Sequence, residues 1–149
     1  MQRPVRLDEL DRKILDVLQR EGRSTLAEVG AEVGLSPSAV KRRVDRLEGS
    51  GVIVGYAAIV DPHAVGNRLE AFVELYCADT VTPSDLLASV SGLPVVVAAH
   101  TVAGDADAIV RVRVEGIEEL ERTIEVLRRD PKVMRTRTMV ALSTLVERP

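Results

Sequence analysis

Two stretches of the sequence carry side chains whose types and spacing can do chemistry. The first is Gly34-Leu35-Ser36-Pro37-Ser38-Ala39-Val40-Lys41-Arg42-Arg43-Val44-Asp45-Arg46-Leu47-Glu48. On a helix, Val40, Val44 and Leu47 share a face, which turns Ser38, Lys41, Arg42 and Asp45 outward and leaves Arg43 and Arg46 at the borders. Lysine and arginine pair with phosphates or guanine edges, and serine hydroxyls contact either. Ser36, Ser38, Ala39, Lys41, Arg42 and Arg46 are therefore the candidate contacts to a nucleic acid, with Arg46 serving phosphate. Four bases face two acids between Ser36 and Glu48, whereas residues 1–61 hold ten of each, so the positive excess is local. The same stretch also fits a solvated, salt-bridged surface helix, with the Arg43 stem packed at its border.

The second stretch is Ala103-Gly104-Asp105-Ala106-Asp107. Backbone N–H groups near Gly104 and the two carboxylates offer both a site for an anion and a site for a cation, which is what a zwitterion requires. Thr136 and Thr138 lie two apart, so their hydroxyls face one side of a strand. An ordinary hairpin turn and ordinary strand threonines explain the same residues.

Acid–base and metal chemistry find little support. His63, His100, Tyr56 and Tyr76 are scattered, and Cys77 with the two histidines shows no metal-ligand spacing. There is no glycine-rich phosphate loop and no Gly-x-Ser-x-Gly. No catalytic residue, metal or cofactor is expected. A net charge of −3 argues against indiscriminate polyanion binding. The single cysteine permits no intrachain disulfide and fits a reduced compartment. No signal-peptide core is visible, and no apolar run nears the roughly 18 residues of a membrane span. A soluble, cytoplasmic protein without membrane partners is expected. Apolar residues form 46% of the chain and aromatics 2%, so valine, leucine, isoleucine and alanine must build the core.

The elements that position these stretches divide near residue 61. Residues 8–53 read as three helices. The first starts at Asp8, with Asp11 as cap partner, and carries the stripe Leu10, Ile14, Val17, Leu18 up to Gly22. Thr25 and Glu28 make a capping box for the second, whose inward face reads Leu26, Val29, Val33 before Gly34. Ser36 caps the third, Pro37 occupies its first position, and Gly49 or Gly51 ends it. Residues 1–53 are thus a helix-turn-helix domain of winged type, 54–68 an extended linker, and 69–149 a second domain. That domain alternates strand 69–77, helix 82–90, strands 95–102 and 108–114, helix 117–129 and strand 133–142. Two βαβ units in series predict a ferredoxin-like α+β sandwich. Ile117, Leu120, Ile124 and Leu127 should cover the sheet.

Strand alternation sorts the sheet faces. Leu69, Ala71, Val73, Leu75, Val110, Val112 and Val114 belong under the helices. Glu70, Phe72, Glu74 and Tyr76 face the other way, as do Arg111, Arg113, Arg135 and Arg137. A first strand set between the third and fourth puts the glutamates between arginines. This face is either merely solvated or an interface; both strand aromatics lying on it favour an interface.

The run from Leu7 to Gly66 resembles the amino-terminal half of the Lrp/AsnC family of prokaryotic transcription regulators. Its marks are Leu7-Asp8, Asp11, Gly34-Leu35-Ser36, Arg43-Val44, Leu47-Glu48, Gly51-Val52-Ile53 and Asp61-Pro62. The loop in "AGDADAIV" and the turn at Pro131–Val133 are similar to the family's effector-binding module. The resemblance implies sequence-specific binding of double-stranded DNA and modulation by an amino acid or related metabolite. It maps Gly104, Asp105, Asp107, Thr136 and Thr138 to an effector region between dimers. It also implies homodimers that pack sheet to sheet and assemble further. The family often has an aromatic residue where this chain has Ala106. Two other classes share the layout: a decarboxylase of the tetrapyrrole pathway, and an effector sensor whose helix-turn-helix is vestigial. Lys41, Arg42 and Arg46 argue against the second.

Overall fold

Cap chemistry sets the first three helices. The computed structural model describes residues 5–78 and 80–147; the outer ends of the two expected domains, 1–4 and 148–149, lie outside the described residues. Helix α1 (Glu9–Arg20) opens on a reciprocal box in which Asp8 accepts from the Asp11 amide and Asp11 from the Asp8 amide. Thr25 and Glu28 do the same for α2 (Leu26–Val33), which closes on Gly34 at φ 74. That left-handed turn favours glycine. Ser36 caps α3 (Pro37–Gly49), with Pro37 in its first turn. Ile14, Val17, Val29, Val40, Val44 and Leu47 form the buried core of this unit, which runs up to Ile59. Leu26, expected inside, is exposed at the first position of a short helix. Residues 54–60 form no strand, as expected of an extended connector.

The second unit runs from Val60 and is the expected α+β sandwich. Its elements are β1 (Leu69–Cys77), α4 (Pro83–Ser91), β2 (Val96–Thr101), β3 (Ala108–Val114), α5 (Ile117–Arg129) and β4 (Val133–Val140). The sheet is antiparallel in the order β2-β3-β1-β4. Ala71, Val73, Leu75, Val110, Val112 and Val114 are buried with Leu86, Val90, Leu120 and Leu127 from the two helices. Ile117 is exposed rather than covering the sheet. Thr123 takes an inward place instead, its hydroxyl satisfied by the Glu119 carbonyl at 2.8 Å. An acceptor one turn back removes the cost of burying a hydroxyl.

Candidate functional site

The outward side of α3 is as the helical period requires. Ser36, Ser38, Lys41 and Arg42 are exposed and Ala39 is half-buried. The bases differ in freedom. Lys41 pairs with Asp45 one turn on, at 2.6 Å and exposed. Such pairs are worth only about 0.3–0.5 kcal/mol and yield readily to a phosphate. Arg42 makes no ion pair among the described residues. Arg43 and Arg46 are both committed to α1. Arg43 reaches Asp8 and Asp11 at 2.7 Å each, and Arg46 reaches Asp11 at 2.5 Å. Arg43 is thus an ion-pair partner and more than a packed stem. Arg46 is thus partly committed, because it shares the fully buried Asp11 with Arg43 and the Asp8 amide, while its side chain stays about half exposed.

Burial pushes the Asp11 carboxyl up. Hydrogen bonds from Arg46, the Asp8 amide and Arg43 outweigh burial and hold it at about 2. Arg43 likewise holds Asp8 below the usual carboxylate range. At the far end of α3, Tyr56 donates to Glu48 at 3.0 Å.

A further positioning residue escaped the sequence reading. The Leu35 amide donates to the Gly30 carbonyl at 2.9 Å, and a Cβ on Gly30 would stand 2.4 Å from the Leu35 carbonyl oxygen. The turn before α3 therefore packs directly on the α2 backbone. Its only signal in the sequence was a glycine inside a helix, where alanine is preferred.

In the second unit the open face of the sheet is charged and internally paired. Glu70 lies opposite Arg113 and receives Arg111 at 2.9 Å and Arg113 at 2.7 Å. Glu74, nearly buried, receives Arg137 at 2.6 Å and the Tyr76 hydroxyl at 3.0 Å. Arg135 stacks 3.9 Å above the Tyr76 ring. Phe72 pairs with Arg111 on one side and Met139 on the other. Burial raises the Glu70 carboxyl but its two arginines bring it below its ordinary value; Arg137 does the same for Glu74. All eight residues expected on this face are brought together.

The effector loop is only partly as expected. Asp107 is exposed, but one of its carboxylate oxygens accepts the Cys77 amide at 2.7 Å, and its own amide donates to Leu75 at 3.0 Å. Ala106 is buried, and Gly104 and Asp105 are exposed. Space around Gly104 is open. Thr136 and Thr138 lie opposite Leu75 and Val73, on the helix-covered face, and Arg128 donates to the Thr136 hydroxyl at 2.8 Å. Arg137, whose neighbours include Asp105, belongs to the open face. A single chain therefore does not gather the hydroxyls and the loop carboxylates into one site. Beside the loop, a mainly apolar cavity of about 230 Å³ opens between α4 and the sheet, lined by Leu86, Leu87, Val90, Ala99, His100 and Thr101. No group of three histidine, cysteine or acidic residues able to hold a metal occurs among the described residues.

Residues 7–48 match the profile of the AsnC-type helix-turn-helix domain, and residues 70–149 match the Lrp/AsnC ligand binding domain. The chain belongs to the Lrp/AsnC family of transcriptional regulators. It is 43% identical to the HTH-type transcriptional regulator Rv2324 of Mycobacterium tuberculosis, over 96% of this chain and 97% of that one. A feast or famine regulatory protein of M. tuberculosis complexed with L-methionine has the same fold, with a TM-score of 0.88, 38% identity, and coverage of 95% and 96% of the two chains. The regulator NMB0573 of Neisseria meningitidis, in complex with L-methionine, superposes with a TM-score of 0.92 at 29% identity, covering 96% and 94%. This Lrp/AsnC member thus joins an α3 rich in bases to a ligand-binding sandwich, and its family is one of regulators rather than enzymes. No helix among the described residues is long and apolar enough to cross a membrane.

Proposed function

We propose that this transcription regulator binds double-stranded DNA sequence-specifically through Ser36, Ser38, Ala39, Lys41 and Arg42, with Arg46 acting chiefly by holding the helix. The supporting observation is the exposed Arg42, without an ion pair among the described residues, beside a weakly paired Lys41, on a helix braced from behind by Asp8 and Asp11. Residues 1–53 serve DNA, 54–68 link, and 69–149 bind an effector and self-associate, in the cytoplasm. Two relatives of this fold are complexed with L-methionine, which supports an amino acid as the effector here. Asp105, Asp107 and the amides near Gly104 would take its charged ends. Since Thr136 and Thr138 lie on the helix-covered face of a single chain, they would serve the loop of another copy, so the site needs an assembly larger than one chain. Glu70, Phe72, Glu74, Tyr76, Arg111, Arg113, Arg135 and Arg137 form the face for a homodimer, which then assembles further.

Selecting bound fragments from genomic DNA, with and without a panel of amino acids, tests this reading. An enriched motif whose occupancy shifts with one amino acid supports it. Binding indifferent to sequence would remove the recognition role of α3.

A further inference from the structure

Beyond β4 the chain does not leave the sheet. The Ala141 amide donates to the Glu70 carbonyl at 2.9 Å. Six residues on, the Glu147 carboxylate meets Arg111 at 2.5 Å and Arg113 at 2.7 Å. The segment thus runs from the β4 edge to side chains of β3 on the open face, and it is tied at both ends. Between the ties, Leu142, Leu145 and Val146 are 97%, 91% and 73% exposed. A disordered end exposes apolar residues without meaning; an anchored strap that turns three of them outward presents a surface.

We propose that residues 142–146 form an apolar arm with which this chain grips a second copy of itself, Glu147 anchoring the arm to Arg111 and Arg113. The proposal rests on the sheet-face dimer proposed above and adds to it a contact from outside the sheet. Three features select a second copy as the occupant. The arm is rooted on the same face as Phe72, Met139 and Tyr76, so it extends that surface rather than starting another. Charges on the face are already matched: Glu70, Glu74 and Glu147 are engaged by Arg111, Arg113 and Arg137, and Arg135 by the Tyr76 ring. Such a face offers no strong field to a polyanion or an acidic peptide. In a twofold contact, moreover, each arm meets the partner's face reciprocally, so a single strap supplies two apolar contacts.

Sedimentation equilibrium of the full chain tests this. The combined variant Leu142→Ser, Leu145→Ser, Val146→Ser should raise the dimer Kd at least about tenfold, the size expected when interface anchors are lost. Its circular dichroism should match the parent, because the replaced side chains are exposed. Glu147→Gln should raise the Kd less, and the difference should vanish in high salt, where the parent loses its anchor too. An unchanged Kd in the combined variant overturns the arm while leaving the sheet-face dimer standing. A lowered Kd also overturns it, by showing that the strap masks the face. A parent protein that stays monomeric removes the sheet-face dimer and the arm together. If the combined variant misfolds, a polarity-sensitive dye on Leu145→Cys in a Cys77→Ser background decides. Its emission should shift to the blue as dimers form, and constant emission overturns the arm.

Discussion

Arg46 donates to Asp11 across 35 positions of sequence, at 2.5 Å, and the carboxylate that receives it is fully buried. The exposed side of α3 is therefore held from behind by a charge cluster on the α1 cap. The cluster is a stability device with a pH signature. Asp11 has its folded pKa lowered from 3.8 to about 2. A lowered carboxyl pKa stabilises the fold above the unfolded value, and that stability is lost as pH falls through the folded value. The first unit should lose about 2 kcal/mol between roughly pH 4 and pH 2. Asp11→Asn should remove that dependence and cost about 3 kcal/mol, because two arginines lose their buried partner. Urea unfolding followed by amide exchange in α1 and α3 measures both.

Arg42 and Arg46 should separate when each is replaced. Arg42→Ala should leave unfolding unchanged and cost about 1–3 kcal/mol of discrimination between operator and mismatched DNA if its contact is bidentate to guanine. Arg46→Ala should lower stability and weaken binding to all sequences alike. Fluorescence anisotropy on matched and scrambled duplexes, alongside unfolding, distinguishes them. Full selectivity in a folded Arg42→Ala would take that residue out of the recognition set.

Gly30→Ala should disable the helix-turn-helix without touching its outward face. The added methyl meets the Leu35 carbonyl oxygen at 2.4 Å, a backbone atom that moves only if the turn moves. A loss of about 1–3 kcal/mol is expected, as for overpacked sites. Gly34→Ala, with open space but φ 74, should cost about 1 kcal/mol from backbone conformation alone. Equal effects from the two would contradict the close approach.

Glu74→Lys should weaken self-association, most at low salt, because a third positive charge then joins Arg135 and Arg137 on a nearly buried position. Sedimentation at two ionic strengths reads this directly, and an unaffected dimer would place the interface elsewhere.

Asp107→Asn tests the effector loop cleanly. The asparagine side-chain oxygen can still accept the Cys77 amide, so the loop keeps its shape while losing its charge. Effector response should disappear and effector-free DNA binding persist. Calorimetric titration with the twenty amino acids, on parent and variant, is the check; no heat from any of them would mean that the loop is only a turn.

How much of this was legible depended on the range of the interaction. Capping boxes at Asp8 and Thr25, the three-helix pattern and the strand alternation are local, and they read correctly. The order of the sheet followed from two βαβ units, and with it the meeting of Glu70 and Glu74 with arginines. Nothing local marks which arginine of α3 is already spent, because Asp8 and Asp11 lie more than thirty positions away. The placing of Thr136 and Thr138 under the helices, by contrast, follows from alternation once Arg135 and Arg137 are set on the open face, so grouping the threonines with the loop carboxylates conflicted with the strand pattern itself. Leu26 and Ile117 fit their helical periods yet sit in first turns that overhang the core.

The two tyrosines have an experimental consequence. Tyr56 donates to Glu48 in the unit that carries α3, and Tyr76 lies beneath Arg135 in the other. With no tryptophan in the chain, these phenols are its only strong intrinsic emitters, one to each unit. Light emitted by a Tyr76→Phe variant would come from the helical unit alone, and light from Tyr56→Phe from the sandwich alone. The protein thus carries a separate optical reporter for each half, and the order in which the halves melt can be followed without attaching any label.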